Sequence, residues 1–492
     1  MSLLATAVHA FKWSLLGELG SRVIGPLVFI VLARILLPED FGVVAAATVA
    51  ISFSQVFWDS GLARGLIQRN ADDDEELANA VFWANLALSA LVTIAMWLAA
   101  PALAAFFRDD RIANVLRVLS LQAPVAATCA VITALMQKRF DFKRLFWVRL
   151  VTTGGPGLVS IPLALAGWSY WALVFGVMSG QLLQLLALWR LTGWRPRARI
   201  NRRRVAELAG FAQWTLSSGM LGWLYGWLDA IVVGRFLGAH DMGVYRTGNT
   251  FVILVFGLLF SPLLPVLYSL FSRAQHDLAR LRDALMTVVQ AIALVALPIG
   301  AGLMVLGEAL GVTIFGTNWA GVGLVIGILG LSHAIGWIAG ANGELYRAIG
   351  RPHVETSTVA LMLAVYVPIY LVAVRDGMQS FLWARMALSA LALVAHVMVC
   401  RYAVGIPPGR WLRACVPALA AACGAAAVVH WVSHDAPFTI ARLAAMGVLG
   451  FVLYALAIVA LERRFLLRLR EIAKPGPQPP AAGNDLHSRG TS

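Results

Sequence analysis

A chain of 492 residues that is 60% hydrophobic and 13% charged, with a mean hydropathy of +0.78, is too apolar for a soluble globular protein. A membrane-spanning helix needs about 20 mostly apolar residues, so the chain has room for about a dozen spans and for no sizeable soluble domain. Its 39 basic residues exceed its 25 acidic residues by 14. Loops that face an anionic membrane surface explain this excess, and we therefore expect membrane lipids rather than nucleic acid as its partner.

Apolar windows between charged, glycine or proline breaks predict an all-α polytopic membrane protein of about fourteen transmembrane helices. The first window is too long for the core of a signal peptide, and no small-residue cleavage pattern follows it. We therefore expect it to be retained as the first span. The predicted spans are 10–35, 41–62, 79–107, 113–137, 145–166, 168–192, 205–235, 243–271, 284–307, 319–346, 354–374, 380–400, 411–432 and 438–461.

The distribution of positive charge predicts the orientation of these spans, because Lys and Arg in short loops stay on the cytoplasmic side. With the N-terminus inside, 28 of the 39 basic residues fall in the even-numbered loops and the C-terminal tail. The odd-numbered loops hold nine, and the first span holds the other two. Both termini are therefore predicted to be cytoplasmic, and the Pro/Gly/Ala-rich tail after Arg470 is predicted to be disordered.

An internal repeat relates the two halves of the chain. Residues 12–43 align without a gap to residues 213–244, with eleven identities in 32 positions. The identities include Trp, Gly, Arg and Asp, which an apolar composition alone would not produce. The offset of 201 residues spans six helices and so preserves orientation. The halves are therefore predicted to be parallel repeats related by an axis along the membrane normal, a layout in which a transported substrate binds between the repeats.

Polar side chains follow one face of the first span and recur on the same face of its repeat. Glu18 and Arg22 lie on this face of the first span, and Asp229 lies on it in the second copy. A charge at the bilayer centre costs about 2.5–3.5 kcal/mol, so these groups should face one another, a partner or water. The alternative is structural, since Glu18 and Arg22 are four residues apart and can form an ion pair, and small residues allow helices to pack closely.

No HExxH, GxxxxGK[ST] or GxSxG motif is present in the sequence. Glu39 and Asp40 in the first outer loop would be the acidic pair of a membrane glycosyltransferase or polymerase. However, such enzymes generally carry a large outer loop, and the loops predicted here have only a few residues. A transporter without a cofactor, metal or catalytic residue is therefore predicted.

Four segments carry a resemblance to a known family: LARILLPEDFG at 32–42, DSGLARGLIQR at 59–69, ALMQKRFDF at 134–142 and LDAIVVGRFLG at 228–238. They resemble the polysaccharide transporter branch of the multidrug/oligosaccharidyl-lipid/polysaccharide flippase superfamily, and most closely its Wzx-type O-antigen and colanic acid exporters. Leu37 departs from the pattern, because such sequences usually have a polar cap residue there.

The resemblance implies a bacterial inner-membrane flippase that moves an undecaprenyl-diphosphate-linked oligosaccharide by alternating access, with H⁺ or Na⁺ as a coupling ion and with polysaccharide polymerase and chain-length machinery as partners. It also implies two six-helix lobes and two extra helices. We expect an N-terminal lobe at 1–192, a basic linker at 193–204, a C-terminal lobe at 205–402, two extra helices at 403–462 and a tail at 463–492. A lipid II flippase and a multidrug or cation antiporter of the same superfamily are the alternatives.

The anionic diphosphate, the glycan and the coupling ion each require a different kind of side chain. We predict that Arg22 and Arg246 attract the diphosphate. The residues predicted to contact sugar are Gln213, Asn249, Trp214, Trp223, Tyr225 and Trp227. Those predicted to take up a coupling ion are Glu18, Asp229 and Asp59, for the last of which a place at the membrane interface is the alternative.

Overall fold

The computed structural model describes residues 20–58, 74–139, 141–197, 202–433 and 439–467, and at residues 58, 74 and 202–218 the backbone only. In this part of the chain the regular structure is helical. The helices are α1 (20–35), α2 (Pro38–Trp58), α3 (Asp74–Phe107), α4 (Arg111–Ser120), α5 (Gln122–Lys138), α6 (Phe142–Leu165), α7 (Tyr170–Leu191), α8 (Arg202–Phe260), α9 (Leu263–Ala274), α10 (Leu278–Phe315), α11 (Val322–Ile338), α12 (Asn342–Ala348), α13 (Pro352–Ala373), α14 (Met378–Val404), α15 (Pro408–Ser433) and α16 (Ile440–Leu461).

Twelve helical segments in the described ranges are long and apolar enough to cross a membrane. One of them lies in α8, whose 59 residues would extend about 90 Å if they formed a straight helix, about three times the thickness of a bilayer core. Gly238, with φ 89° and ψ −176°, interrupts this helix and divides it into two spans. With the first span, of which α1 is the described part, the predicted number of about fourteen is close to the observed architecture.

Two predicted span ends are wrong. Span eight was expected to continue to residue 271, but α8 ends at Phe260 and a separate helix, α9, begins after Pro262, because a proline lacks the amide hydrogen that would continue the helix. Span nine was expected to end at Gly307, but α10 continues to Phe315. Gly307 therefore does not mark a helix end. Its lack of a side chain allows α10 to pack closely on α11, because a Cβ atom there would lie 2.6 Å from the carbonyl oxygen of Gly323.

The largest cluster of buried apolar residues contains side chains from both halves of the chain. In the first half it includes parts of α2, α3 and α4, and in the second half it includes parts of α8, α10 and α11. The helix pair α2 and α8 forms the main contact between the halves. The repeated segments therefore lie at the centre of the molecule.

The last two helices, α15 and α16, pack on the outside of α10. Tyr454 of α16 donates a hydrogen bond of 2.7 Å to the carbonyl oxygen of Leu294 in α10. A cavity of about 340 Å³ with an almost entirely apolar lining lies between the three helices. Most other side chains of α16 are exposed and apolar, as expected for a helix that faces lipid.

Candidate functional site

The helix starts at Pro38 and Ala239 cross each other at a pseudo-twofold axis. A Cβ atom at Gly42 would lie 2.6 Å from the carbonyl carbon of Ala239, and one at Gly243 would lie 2.6 Å from the carbonyl carbon of Pro38. The offset of 201 relates Gly42 to Gly243 and Pro38 to Ala239, so each residue makes the contact that its repeat partner makes. Such a reciprocal contact is the property of a twofold interface, and it shows the repeat in three dimensions.

The cap of α2 is supplied from inside the helix. The backbone amide of Leu37 donates a hydrogen bond of 3.0 Å to the carboxylate of Asp40, three residues further on. Asp40 is buried and also accepts a hydrogen bond from Ser169, at the start of α7. Asp40 thus compensates for the absent polar cap at Leu37, as the acidic residue of a capping box does. The pair Glu39 and Asp40 lies in the first turn of α2 and is part of the helix start.

Two arginines at equivalent positions of the repeat join the halves at the same end of the molecule. Arg34 of α1 donates a hydrogen bond of 2.6 Å to the carbonyl oxygen of Ile314 and a second one to Thr313, in the last turn of α10. Its repeat partner Arg235 places its guanidinium 5.5 Å from the ring centroid of Phe106, near the end of α3. Each arginine therefore reaches the C-terminal end of a helix in the other half, where the helix dipole favours a cation.

A group of aromatic rings around Trp319 packs against the end of α1, next to Arg34. Trp319 donates a hydrogen bond of 2.6 Å to the carbonyl oxygen of Ala33. Its ring lies 5.2 Å from that of Phe41 and 5.9 Å from that of Phe315. We call the region formed by residues 33–42, 235–243 and 313–321 the closed end, because here the halves are in direct backbone, aromatic and hydrogen-bonded contact.

A cavity of about 260 Å³ lies between the halves, bordered by α1, α2, α6, α7 and α8. The lining is mostly apolar, and Arg246 is its one charged member among the described residues. The guanidinium of Arg246 lies 4.2 Å from the ring centroid of Trp227. This distance is typical of a cation–π contact. Among the residues that the structure describes, Arg246 has no carboxylate partner. The hydroxyl-bearing residues in the lining are Thr48, Ser160, Thr247 and Thr250, and the hydroxyl of Thr247 is buried without a hydrogen-bond partner in the described part of the chain.

The predicted sugar-contacting residues have different surroundings. Trp223 donates a hydrogen bond of 3.0 Å to Ser52 and so contacts the first half. Tyr225, on the opposite side of α8, is 43% exposed and stacks on Tyr366 of α13 with 5.9 Å between ring centroids. Asn249 is buried, and its amide oxygen has no partner among the described residues. Among the members of this group whose side chains the structure describes, Trp227 alone lines the cavity together with Arg246.

The predicted charged face is divided between two places. Arg22 donates hydrogen bonds of 3.3 Å to the carbonyl oxygens of Gly257 and Leu258, near the C-terminal end of α8. Asp229 instead faces α14, where it forms an ion pair with Arg385. Arg22 and Asp229 therefore do not contact each other. The remaining predicted site residues, Glu18, Asp59 and the side chains of Gln213 and Trp214, lie outside the described residues.

Asp229, Tyr245 and Arg385 form a buried cluster inside the second half. Tyr245 donates a hydrogen bond of 2.7 Å to one carboxylate oxygen of Asp229, and the backbone amide of Ala230 donates one of 2.6 Å to the other. Arg385 contacts both Asp229 and the Tyr245 hydroxyl. Arg385 lies inside α14 and inside the predicted span 380–400, but it was not among the predicted site residues. Its position inside an apolar window was a signal that could have identified it as an intramembrane charge.

The comparisons with known proteins agree with this architecture. A solved structure of the lipid II flippase MurJ in an inward closed conformation superposes with a TM-score of 0.75, at 13% identity and over 93% of this chain and 100% of that one. An inward-facing MATE family transporter superposes with a TM-score of 0.64, at 12% identity and over 78% of this chain and 94% of that one. The fold is therefore the one that the lipid II flippase MurJ and the MATE family transporter share.

The chain belongs to the polysaccharide biosynthesis protein family, which matches residues 31–323. It is 27% identical to the succinoglycan biosynthesis transport protein ExoT of Rhizobium meliloti, over 95% of this chain and 96% of that protein. It is also 25% identical to the lipopolysaccharide biosynthesis protein WzxC of Escherichia coli, over 72% of this chain and 70% of that protein. The family resemblance predicted from the sequence is confirmed.

Proposed function

We propose that this protein moves an oligosaccharide repeat unit linked to undecaprenyl diphosphate across the bacterial inner membrane, for the synthesis of exopolysaccharide, capsule or O-antigen. The observation that carries this proposal is the cavity between the halves, with Arg246 against Trp227 and several hydroxyl groups around them. The functions of the relatives, which are succinoglycan transport and lipopolysaccharide biosynthesis, support it.

Arg246 and the hydroxyl groups of this otherwise mostly apolar cavity fit the head of such a lipid. A diphosphate that leaves water needs a cation that is not already neutralised, and an arginine can donate two hydrogen bonds to phosphate oxygens at once. Aromatic rings and hydroxyl groups are suited to sugars, which have both apolar faces and hydroxyl groups. The volume of about 260 Å³ is slightly below the range of about 300–1,000 Å³ that is usual for ligand pockets. A complete repeat unit therefore requires the halves to separate.

The pseudo-twofold arrangement supports transport by alternating access. In our proposal residues 1–192 and 205–402 are the two lobes, and they rock about the crossing of Gly42 and Gly243. Both termini are cytoplasmic and the closed end faces the periplasm, as the distribution of positive charge predicts. The return step is driven by H⁺ or Na⁺, and the exported unit is passed to a polysaccharide polymerase with its chain-length machinery.

The variant Arg246→Gln tests whether the cavity between the halves binds the diphosphate of the substrate. A hydrogen bond to a charged group is worth about 1.5–3 kcal/mol, so we expect polymer export to fall about 10- to 100-fold with the protein still in the membrane. Lipid-linked repeat units should accumulate in the cytoplasmic leaflet of a deletion strain that carries this variant. The variant Arg246→Lys keeps the charge but loses the two-pronged donor and should export at an intermediate level.

The matched control is Arg375→Gln, which removes an exposed arginine between α13 and α14 and should leave export unchanged. Full export by Arg246→Gln would contradict the proposed site. Accumulation of lipid II instead of a glycan repeat unit would favour the alternative that the protein is a lipid II flippase.

The variant Arg34→Gln tests whether the hydrogen bonds of Arg34 hold the halves together at the closed end. It removes the two hydrogen bonds to the last turn of α10, so the population with an open periplasmic end should rise about 10-fold or more. A cysteine at Thr48, which lines the cavity, should then react faster with a membrane-impermeant maleimide in intact cells. The native Cys415 and Cys423, which are not fully buried, are first replaced by serine. The same labelling rate with and without the Arg34→Gln change would contradict this role, and Arg375→Gln again serves as the control.

A further inference from the structure

Both carboxylate oxygens of Asp229 already have partners within the protein. One oxygen accepts the backbone amide of Ala230, and the other accepts the hydroxyl of Tyr245 and contacts the guanidinium of Arg385. The side chains of Asp229 and Arg385 are 8% and 16% exposed, so water screens the pair little. The cluster joins both spans of α8 to α14, since Asp229 and Tyr245 lie on opposite sides of the Gly238 interruption.

A metal cation at Asp229 would need the place that Arg385 holds. Hard cations bind through several oxygen ligands, and carboxylates are foremost among these. In the described part of the chain no group of three or more His, Cys, Asp or Glu side chains is placed to hold a metal ion. Without Arg385, however, Asp229 would be a buried carboxylate beside the Tyr245 hydroxyl, and such a group requires a positive partner.

We infer that Arg385 is a tethered counter-cation that takes the place a Na⁺ would need beside Asp229, so that this carrier binds no Na⁺ there. The inference rests on the proposed function, because it concerns how that carrier is driven. It replaces the ion-coupling role that the sequence predicts for Asp229 with a positioning role: Asp229 and Arg385 hold α8 against α14. Removal of the arginine, with the carboxylate kept, should then create a Na⁺ site.

Binding of radioactive ²²Na⁺ to the purified full chain in lipid nanodiscs at pH 8, without substrate, tests this inference. The wild type should show no Na⁺ binding beyond that of the double variant Asp229→Asn/Arg385→Gln. The single variant Arg385→Gln should gain saturable Na⁺ binding, and its melting temperature should rise by several degrees when Na⁺ replaces choline. The matched control is Arg410→Gln, which breaks the exposed pair of Arg410 and Asp283 and should gain neither property.

Na⁺ binding by the wild type that the double variant lacks would overturn the inference, as would a folded Arg385→Gln variant that binds no Na⁺. If Arg385→Gln fails to fold, Na⁺ binding by the wild type is still compared with that by the double variant. Equal Na⁺ binding supports the tethered cation, and stronger Na⁺ binding by the wild type excludes it. The measurement needs no lipid-linked glycan. A failure here therefore leaves the proposed export function in place, and a failure of the export tests leaves this result interpretable.

Discussion

Replacing Gly243 with alanine is expected to abolish export and to lower the melting temperature of the purified protein. The new Cβ atom would overlap the carbonyl group of Pro38. Because this neighbour is helix backbone and not a flexible side chain, it cannot rotate away, and the helices must separate. Overpacking in a close-packed interior costs about 1–3 kcal/mol and occasionally more. A collision between two backbones should reach or exceed the upper part of that range.

The pseudo-twofold arrangement predicts a second and more specific result. Gly42→Ala should have an effect of similar size to Gly243→Ala, since its Cβ atom would overlap the carbonyl group of Ala239 in the same way. The control is Gly222→Ala in α8, where an added Cβ atom meets nothing within 4 Å. An exposed alanine is favoured over glycine in a helix by about 1 kcal/mol, so this control should leave stability unchanged or raise it.

Thermal unfolding followed by tryptophan fluorescence, together with polymer export in a complemented deletion strain, measures these effects. An unchanged melting temperature and full export in Gly243→Ala would contradict the crossing of the helices. A large effect at one glycine and none at the other would contradict its pseudo-twofold symmetry.

Removing either charge of the buried pair of Asp229 and Arg385 is expected to cause the second large loss of stability. Loss of one partner from a buried ion pair typically costs about 3–5 kcal/mol, because the remaining charge is left without compensation. Arg385→Ala and Asp229→Ala should both be destabilised by this amount. The sequence alone gave Asp229 an ion-coupling role, and loss of that role by itself would stop export with the protein still intact in the membrane. The ion pair with Arg385 predicts instead that the amount of folded protein falls.

A double-mutant cycle separates the pair from its surroundings. Asp229→Asn combined with Arg385→Met should cost much less than the sum of the single changes, since both charges are then absent. The surface pair of Arg410 and Asp283, 3.5 Å apart with side chains 49% and 64% exposed, provides the reference. Its single variants should change stability by less than about 1 kcal/mol. Additive effects of the two changes at Asp229 and Arg385 would show that they do not stabilise each other.

Part of the candidate site was predictable because it depends on local properties. Arg246 and Trp227 were expected to contact the substrate from their polar or aromatic character inside an apolar span, and both line the cavity between the halves. Their roles in binding remain predictions. Arg385 was missed even though it is an ionisable residue in a predicted span. Its partner Asp229 is 156 positions away in the sequence, and no periodicity relates residues at such a separation.

The sequence by itself determined the helices and their repetition. A membrane span is a local property, since about 20 apolar residues must satisfy their own backbone hydrogen bonds in lipid, and the offset of 201 residues is visible in the aligned letters. Only the tertiary structure decided which side of each helix meets which neighbour. It placed Gly42 against Ala239, Arg246 against Trp227 and Asp229 against Arg385. These contacts depend on how whole helices pack, and a rotation of about 40–100° about a helix axis would exchange one set of partners for another.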